Sequence, residues 1–221
     1  MTASISQVGG LEGYGHGHHS SHQQQCPQRS TSSISRRLSA EFLRSWLAVR
    51  STDVIIERDF AAIPVQHLNE DMMKAFFTAA AQHSSEQSQA VQLSNGLVAE
   101  LLVADTIVLD APMYNLSVSS TLKAWIDHVT RTGLTFKYAS SGPGGLVQGK
   151  KVYVFTSRGG AYSQGPDKTM DFHKTYLRAV LGFIGLTERT FIHTERLAMG
   201  ETAVADALTQ SRRAIRKQVS A

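Results

Sequence analysis

Apolar residues follow a helical spacing in some segments of the chain and form short continuous runs in others. Leu38, Phe42 and Trp46 repeat along one helical stripe, and Ser33 and Ser35 before them are residue types that favour a helix N-terminus. The continuous runs predict buried strands at 54–57, 106–110, 151–156 and 190–193. Strands that alternate with helices predict an α/β domain, with a parallel sheet covered by helices on both faces.

Further helical patterns fill the segments between these strands. They cover about 69–90, 97–102, 122–129 and 176–184, and another closes the chain. Gly185 is expected to end the helix before it, because glycine adopts the left-handed conformation that follows many helices. The glycine-rich stretch 140–145 predicts a surface hairpin or lid.

Residues 1–28 differ in composition from the rest of the chain. They are rich in Gly, His, Ser and Gln, and they hold too few apolar residues to offset the entropy lost on folding. We therefore expect a disordered polar tail at 1–28 and a single domain at 29–221. The histidines at 16, 18 and 19 are not expected to form a metal site, since no ordered scaffold would hold them.

Charge and cysteine content narrow the function classes. The single cysteine, Cys26, excludes an internal disulfide and fits a cytoplasmic protein. No apolar run approaches the roughly 20 residues of a membrane span, and no secretory signal is expected. The net charge of +4 favours anionic ligands such as nucleotide phosphates. The basic cluster at 212–217 is expected to be a solvated helix face rather than a nucleic-acid site.

Three segments have the composition of ligand-binding loops. Hydroxyl groups of Ser33 and Ser35 at a helix N-terminus suit a phosphate, although simple helix capping is the alternative. Pro112–Asn115 follows a strand and offers an aromatic face and an amide to a flat heterocycle. In Ser157–Gly160 two glycines let the backbone approach a ligand closely. Each is also compatible with an ordinary turn, but together they indicate a cofactor across the strand ends.

The sequence shows no side-chain set that would perform catalysis by itself. It lacks a convincingly spaced Ser-His-Asp set, paired carboxylates and a metal triad. His128, His173 and His193 are expected to be surface or hydrogen-bonded core residues rather than catalytic groups. A bound redox cofactor is therefore expected to carry the chemistry.

A series of motifs occurs in a fixed order along the chain: Ala111-Pro112-Met113-Tyr114-Asn115, Lys123, Gly133-Leu134-Thr135-Phe136-Lys137-Tyr138, Gly142-Pro143-Gly144-Gly145-Leu146, Ser157-Arg158-Gly159-Gly160 and Leu181-Gly182-Phe183-Ile184-Gly185. With these motifs the chain from about 29 to 221 resembles the FMN-dependent NADH azoreductases, which belong with the flavodoxin-like NAD(P)H:quinone oxidoreductases. The resemblance implies a flavodoxin-like sheet of order 2-1-3-4-5, non-covalent FMN and a homodimer. It also implies NADH or NADPH as electron donor and quinone or azo acceptors, reduced in a ping-pong mechanism.

The resemblance also assigns roles to individual residues. Ser33, Ile34 and Ser35 would hold the FMN phosphate. The isoalloxazine would be lined by Pro112, Met113, Tyr114 and Asn115, and its pyrimidine end would contact Ser157, Arg158, Gly159 and Gly160. Phe136 and Tyr138 would wall the acceptor pocket at the subunit interface.

The N-terminus departs from this family. Its members begin with a central strand that leads directly into the phosphate loop, whereas residues 22–28 hold no strand-like run and include Pro27. Ile5 and Val8 are almost the only apolar candidates earlier in the chain. We therefore predict that the first strand is missing or degenerate, as in an aberrant N-terminus.

Two alternative functions follow from these features. One is a flavodoxin-type electron carrier, which the basic charge of the chain disfavours because such carriers usually present acidic surfaces. The other is a flavin-less remnant that acts only through interactions, and it is suggested by the missing strand.

Overall fold

A five-stranded sheet of order β2-β1-β3-β6-β7 forms the centre of the protein. The computed structural model describes residues 4–9 and 33–220. The strands are β1 Ser4–Gly9, β2 Val54–Asp59, β3 Thr106–Asp110, β4 Phe136–Ala139, β5 Gly142–Gly145, β6 Lys151–Ser157 and β7 Glu188–Thr194. The helices are α1 Ile34–Val49, α2 Glu70–Phe77, α3 Ser85–Val103, α4 Ser120–Val129, α5 Phe172–Phe183 and α6 Glu201–Val219. With the β4–β5 hairpin set aside, this is the predicted order 2-1-3-4-5.

The two faces of the sheet are covered by different helices. Alternate residues of each strand point to opposite faces, so Val108 packs on one side while Ile107 and Leu109 pack on the other. Helices α1 and α6 cover the first face, where Phe42 lies against Phe155. Helices α3, α4 and α5 cover the second face. The predicted doubly wound arrangement is thereby confirmed.

The prediction of a missing first strand is wrong for the described residues, because β1 lies inside the sheet between β2 and β3. It pairs with both β2 and β3, and both pairings are antiparallel. The remaining four strands of the sheet run parallel to one another, since β2 and β3 each oppose β1. Ile5 and Val8 are 0% and 1% exposed and fill the two cores. These two side chains therefore pack β1 against the helices on both faces of the sheet.

The orientation of β1 explains why the sequence did not reveal it. A parallel first strand would end beside the phosphate loop, so the family pattern predicts a strand just before residue 29. The observed strand ends at the opposite edge, where the Asp105 N–H donates to the Val8 carbonyl at 3.0 Å. Residues 4–9 of the predicted tail therefore belong to the domain. Residues 1–3 and 10–28 of that tail lie outside the described residues.

The predicted glycine-rich hairpin is confirmed as β4–β5, and its base is fixed by a close backbone approach. A Cβ on Gly145 would lie 2.1 Å from the backbone nitrogen of Gly185, so only glycine fits there. Gly185 itself has φ of 105° and follows the last residues of α5, as predicted. Through this contact the hairpin is fastened to the end of α5.

Within residues 4–9 and 33–220, every helix is too short or too polar to cross a membrane.

Candidate cofactor site

The three predicted loops lie at one edge of the sheet. Strands β3 and β6 are parallel neighbours, so the loops that follow them leave the sheet side by side. The Met113 N–H donates to the Ser157 carbonyl at 3.0 Å and joins the two loops directly. Helix α1 begins at the same edge, because Arg36 in its first turn pairs with Asp59 at the end of β2. The topology thus assembles all three segments.

The start of α1 presents a buried pair of hydroxyl groups. Ser33 is the N-cap, but its side chain makes no capping hydrogen bond. Its Oγ lies 3.1 Å from the Oγ of Ser35, and both side chains are buried. Simple capping therefore does not account for Ser33. The hydroxyl pair stands where the positive end of the helix dipole favours an anion.

The loop after β3 has an unusual backbone. Asn115 and Leu116 adopt positive φ angles of 45° and 69°, which non-glycine residues rarely do. Hydrogen bonds of 2.9 and 2.8 Å between Tyr114 and Ser117 close this turn. Pro112 is buried beneath it, whereas the Asn115 amide is exposed. Backbone strain of this kind is concentrated at ligand-binding sites.

The loop after β6 contributes a buried hydroxyl and a glycine pair. The Oγ of Ser157 is buried and has no hydrogen-bond partner among the described residues. Gly159 is exposed, and a Cβ there would meet only Ala198 at 3.6 Å. A buried hydroxyl without a protein partner costs free energy, and a ligand that supplies a partner would remove that cost.

Arg158 is paired within the protein through one end of its guanidinium. Its side chain is buried, and its Nη1 lies 2.9 Å from Asp171 and 3.1 Å from Glu195. Its Nε and Nη2 have no hydrogen-bond partner among the described residues, and a contact of Arg158 with a cofactor stays a prediction. Neither carboxylate was identified from the sequence, because both follow Arg158 at distances in the chain that carry no local pattern.

Two cavities flank these loops. One of about 670 Å³ is lined by the turn at Tyr114 and Asn115, the start of α4 including Lys123, and Tyr176. The other, of about 680 Å³, lies between residues 161–164, the end of β7 and α6. Each is within the size range of small-molecule sites. Burial is the main cause that raises the pKa of Tyr176 to about 12, so its phenol stays protonated and can donate a hydrogen bond.

The comparisons with known proteins agree with this geometry. Residues 25–219 match the model of a family described as having a flavodoxin-like fold. An FMN-dependent NADH:quinone oxidoreductase of Herminiimonas arsenicoxydans is 52% identical over 189 residues, which cover 86% of this chain and 93% of that protein. The chain belongs to the FMN-dependent NADH:quinone oxidoreductase family.

Other members of the family are similar over nearly the same span. The FMN-dependent NADH:quinone oxidoreductase of Azotobacter vinelandii is 48% identical over 172 residues, which cover 78% of this chain and 85% of that protein. Among solved structures, an azoreductase from Bacillus anthracis superposes with a TM-score of 0.80 at 27% identity. That match covers 88% of this chain and 95% of the other.

The aromatic residues predicted to wall the acceptor pocket lie on the hairpin. Phe136 is buried, with its ring centroid 4.5 Å from that of Phe183. Tyr138 is 71% exposed, and its ring meets Phe136 edge-on at 5.5 Å. Phe136 therefore anchors the hairpin, while Tyr138 is the ring that faces outward. Their place at a subunit interface stays a prediction.

His128 and His173 are buried, and His193 is partly buried. The His128 Nε2 lies 2.9 Å from the Gln66 carbonyl, as expected for a hydrogen-bonded core residue. His193 is paired with the Thr156 hydroxyl at 2.8 Å. His173 is fully buried, and neither ring nitrogen has a hydrogen-bond partner among the described residues, so the expectation is wrong there. Burial, with Arg158 nearby, lowers the pKa of His173 to about 3.

The first turn of α1 also holds a charged residue that sequence reasoning missed. Arg36 is buried, and its Nη1 donates to Asp59 at 2.8 Å. Burial alone would raise the pKa of Asp59, but hydrogen bonds from Arg36 and from the Ala61 N–H outweigh it and lower that pKa. The only sequence signal was a basic residue next to the Ser33–Ser35 segment.

No cluster of three or more potential metal ligands forms within the described parts of the chain. The His-rich segment near residues 16–19 lies outside them.

Proposed function

We propose that this protein is an FMN-dependent oxidoreductase that takes electrons from NADH or NADPH and reduces quinones, and also azo compounds. The observation that carries this proposal is the meeting of three loops at one sheet edge. The buried hydroxyls of α1 and the loops after β3 and β6 converge there. Family membership supports the same conclusion, since the relatives are named for this activity.

The residues at this edge fit FMN. Ser33 and Ser35 offer hydroxyls at a helix N-terminus, which suits the phosphate. Asn115 offers an amide to the polar edge of the ring, and Ser157 offers a buried hydroxyl that lacks a protein partner. When bound, the flavin supplies the chemistry by accepting and releasing two electrons. The set of contacts, with Ile34, Pro112, Met113, Tyr114, Gly159 and Gly160 as further members, is part of this proposal.

The residues of the chain bind the flavin and orient the donor and the acceptor beside it. The Met113–Ser157 hydrogen bond fixes the spacing of the two ring-lining loops. The cavity beside Tyr114 and Asn115 is large enough for a nicotinamide or a quinone ring. We propose that donor and acceptor occupy this cavity in turn, as a ping-pong mechanism requires. Tyr176 and Lys123 at its wall offer hydrogen-bond donors to acceptor oxygens.

A homodimer in the cytoplasm is the proposed working form. The outward-facing Tyr138 ring on the β4–β5 hairpin would close the acceptor pocket of a second copy. Exposed aromatic side chains are common at such interfaces. Analytical ultracentrifugation of the protein and of Tyr138→Ser tests this proposal. We expect a dimer of the parent chain and a larger dissociation constant for the variant, whereas a monomeric parent chain would contradict it.

Steady-state kinetics separate this enzyme from an electron carrier. We expect continuous NADH oxidation with benzoquinone as acceptor and parallel lines in double-reciprocal plots at several quinone concentrations. An electron carrier would consume NADH only when a separate reductase is added. A rate at the level of free FMN would reject the proposed activity.

A further inference from the structure

A buried guanidinium stands directly behind the loop proposed to meet the pyrimidine end of the flavin. Arg158 is 1% exposed, and its Nη1 lies 2.9 Å from Asp171 and 3.1 Å from Glu195. Asp171 is buried as well, and Glu195 is mostly covered. Two carboxylates around one guanidinium leave no surplus positive charge for a phosphate. The pairing of Nη1 with both carboxylates indicates a structural role in holding the loop, while Nε and Nη2 have no hydrogen-bond partner among the described residues.

Each carboxylate of this cluster holds a different segment of backbone. Asp171 caps α5, accepting from the Lys174 N–H at 2.8 Å. Glu195, just after β7, accepts from the N–H groups of Tyr162 and Ser163 at 2.9 and 3.0 Å. These are the residues that continue the loop beyond Gly160. Arg158 therefore joins the loop to the start of α5 and to the segment after β7.

The hydrogen bonds and the ion pair around Glu195 favour the ionised form of its carboxylate. Burial alone would raise the pKa of Glu195, but hydrogen bonds from the Tyr162 backbone, from Ser163 and from Arg158 outweigh it and lower that pKa. Hydrogen bonds to an ionised acceptor are stronger than neutral ones. The Glu195 carboxylate is thus an anion that accepts hydrogen bonds from the loop backbone.

The backbone around Arg158 is fastened on both sides. Its N–H donates to the Thr194 carbonyl at 2.9 Å, and its own carbonyl accepts from Leu197 at 3.1 Å. The Gly160 carbonyl accepts from Arg196 at 2.9 Å. The loop therefore lies along the segment after β7, and the ion pair between Arg158 and Glu195 adds a side-chain contact between the two.

We propose that Arg158 is a positioning residue, which acts through Glu195 and Asp171 to hold residues 157–163 in the conformation that receives the flavin ring. This inference rests on the proposed function, because it assumes FMN at this edge of the sheet. In this proposal the affinity of the loop for the flavin depends on the ion cluster of Arg158, Asp171 and Glu195, and it does not require contact between the Arg158 side chain and the flavin.

The test compares three variants of the full chain. Arg158→Met removes the charge and keeps the length, and Arg158→Lys keeps the charge but loses the planar guanidinium. Arg58→Met is the matched control, because it breaks a partly buried Arg58–Glu100 pair between β2 and α3. FMN affinity is measured by quenching of flavin fluorescence, and the environment of the ring by visible circular dichroism.

We expect Arg158→Met to weaken FMN binding about tenfold or more, which corresponds to about 1.4 kcal/mol, and to alter the visible circular dichroism of the bound ring. Arg158→Lys should recover part of the affinity. Arg58→Met should bind FMN within about twofold of the parent chain, since that range is only about 0.4 kcal/mol.

Two further results complete the design. If Arg158→Met does not fold, Glu195→Gln takes its place, because it keeps an acceptor for the loop N–H groups and removes only the charge. Unchanged FMN affinity and an unchanged dichroism spectrum in the folded variant would overturn the positioning role. A parent chain that binds no FMN would instead refute the proposed function, so the two failures are distinguishable.

Discussion

Replacing Gln7 with methionine should stabilise the protein. Gln7 lies in the middle of β1, opposite Ile56 and Ile107, and is 1% exposed. Both polar atoms of its carboxamide are buried without a hydrogen-bond partner among the described residues. A polar group left unsatisfied in this way costs about 1–3 kcal/mol, and methionine has nearly the same shape without that cost.

The magnitude can be measured by urea denaturation. We expect Gln7→Met to raise the free energy of unfolding by about 1–3 kcal/mol with an unchanged m-value. For a domain of this size, each kcal/mol corresponds to an increase of about 2–4 °C in Tm. Gln92→Leu is the control, because Gln92 is exposed on α3 and its replacement should change stability by less than about 0.5 kcal/mol.

An unchanged or lower stability of Gln7→Met, with a neutral Gln92→Leu, would refute the reasoning. It would mean that residue 7 does not lie in a buried strand between β2 and β3, contrary to its antiparallel pairing with both.

Three other changes should have effects of known direction. Ser35→Asp should weaken FMN binding at least about tenfold, because it places a negative charge at the proposed phosphate site; isothermal titration measures this, and unaltered affinity would place the phosphate elsewhere. Gly145→Ala should destabilise the fold by more than about 3 kcal/mol, since its Cβ would lie 2.1 Å from the Gly185 nitrogen, and a parent-like urea midpoint would contradict that approach. Burial lowers the pKa of His173 to about 3 and that of His193 to about 4, so between pH 6.5 and 5 protons bind the unfolded chain but not the folded one. As the pH falls through this range, the free energy of unfolding should therefore decrease by about 1.4 kcal/mol per pH unit for each histidine. His173→Leu should reduce the slope of the free energy of unfolding against pH, and a slope equal to that of the parent chain would show that His173 is not buried.

The sequence predicted those elements whose signal is local. Leu38, Phe42 and Trp46 do form the buried stripe of α1, because helical spacing alone places them on one face. The strand at 106–110 is observed with the same bounds, since a run of apolar residues between polar ends has few alternatives. The order of the sheet followed from the family resemblance, which spans every element from α1 onward.

Features that depend on pairing across the fold could not be predicted. The strand at β1 holds only Ile5 and Val8 as apolar residues, and its stability comes from two neighbouring strands rather than from its own pattern. Arg158 was predicted to contact the ligand from its place in a loop motif. Its protein partners Asp171 and Glu195 could not be recognised from the sequence, because they are brought to it by the start of α5 and the end of β7.

The most direct test of the proposed function is the visible absorption spectrum of the purified chain during titration with FMN, then NADH, then a quinone. We predict a bound-flavin spectrum at one FMN per chain, loss of the visible absorption of the oxidised flavin on addition of NADH, and its return with quinone. A chain that stays colourless after addition of FMN and removal of the free flavin would contradict the account. It would show that the three loops meet without forming a flavin site.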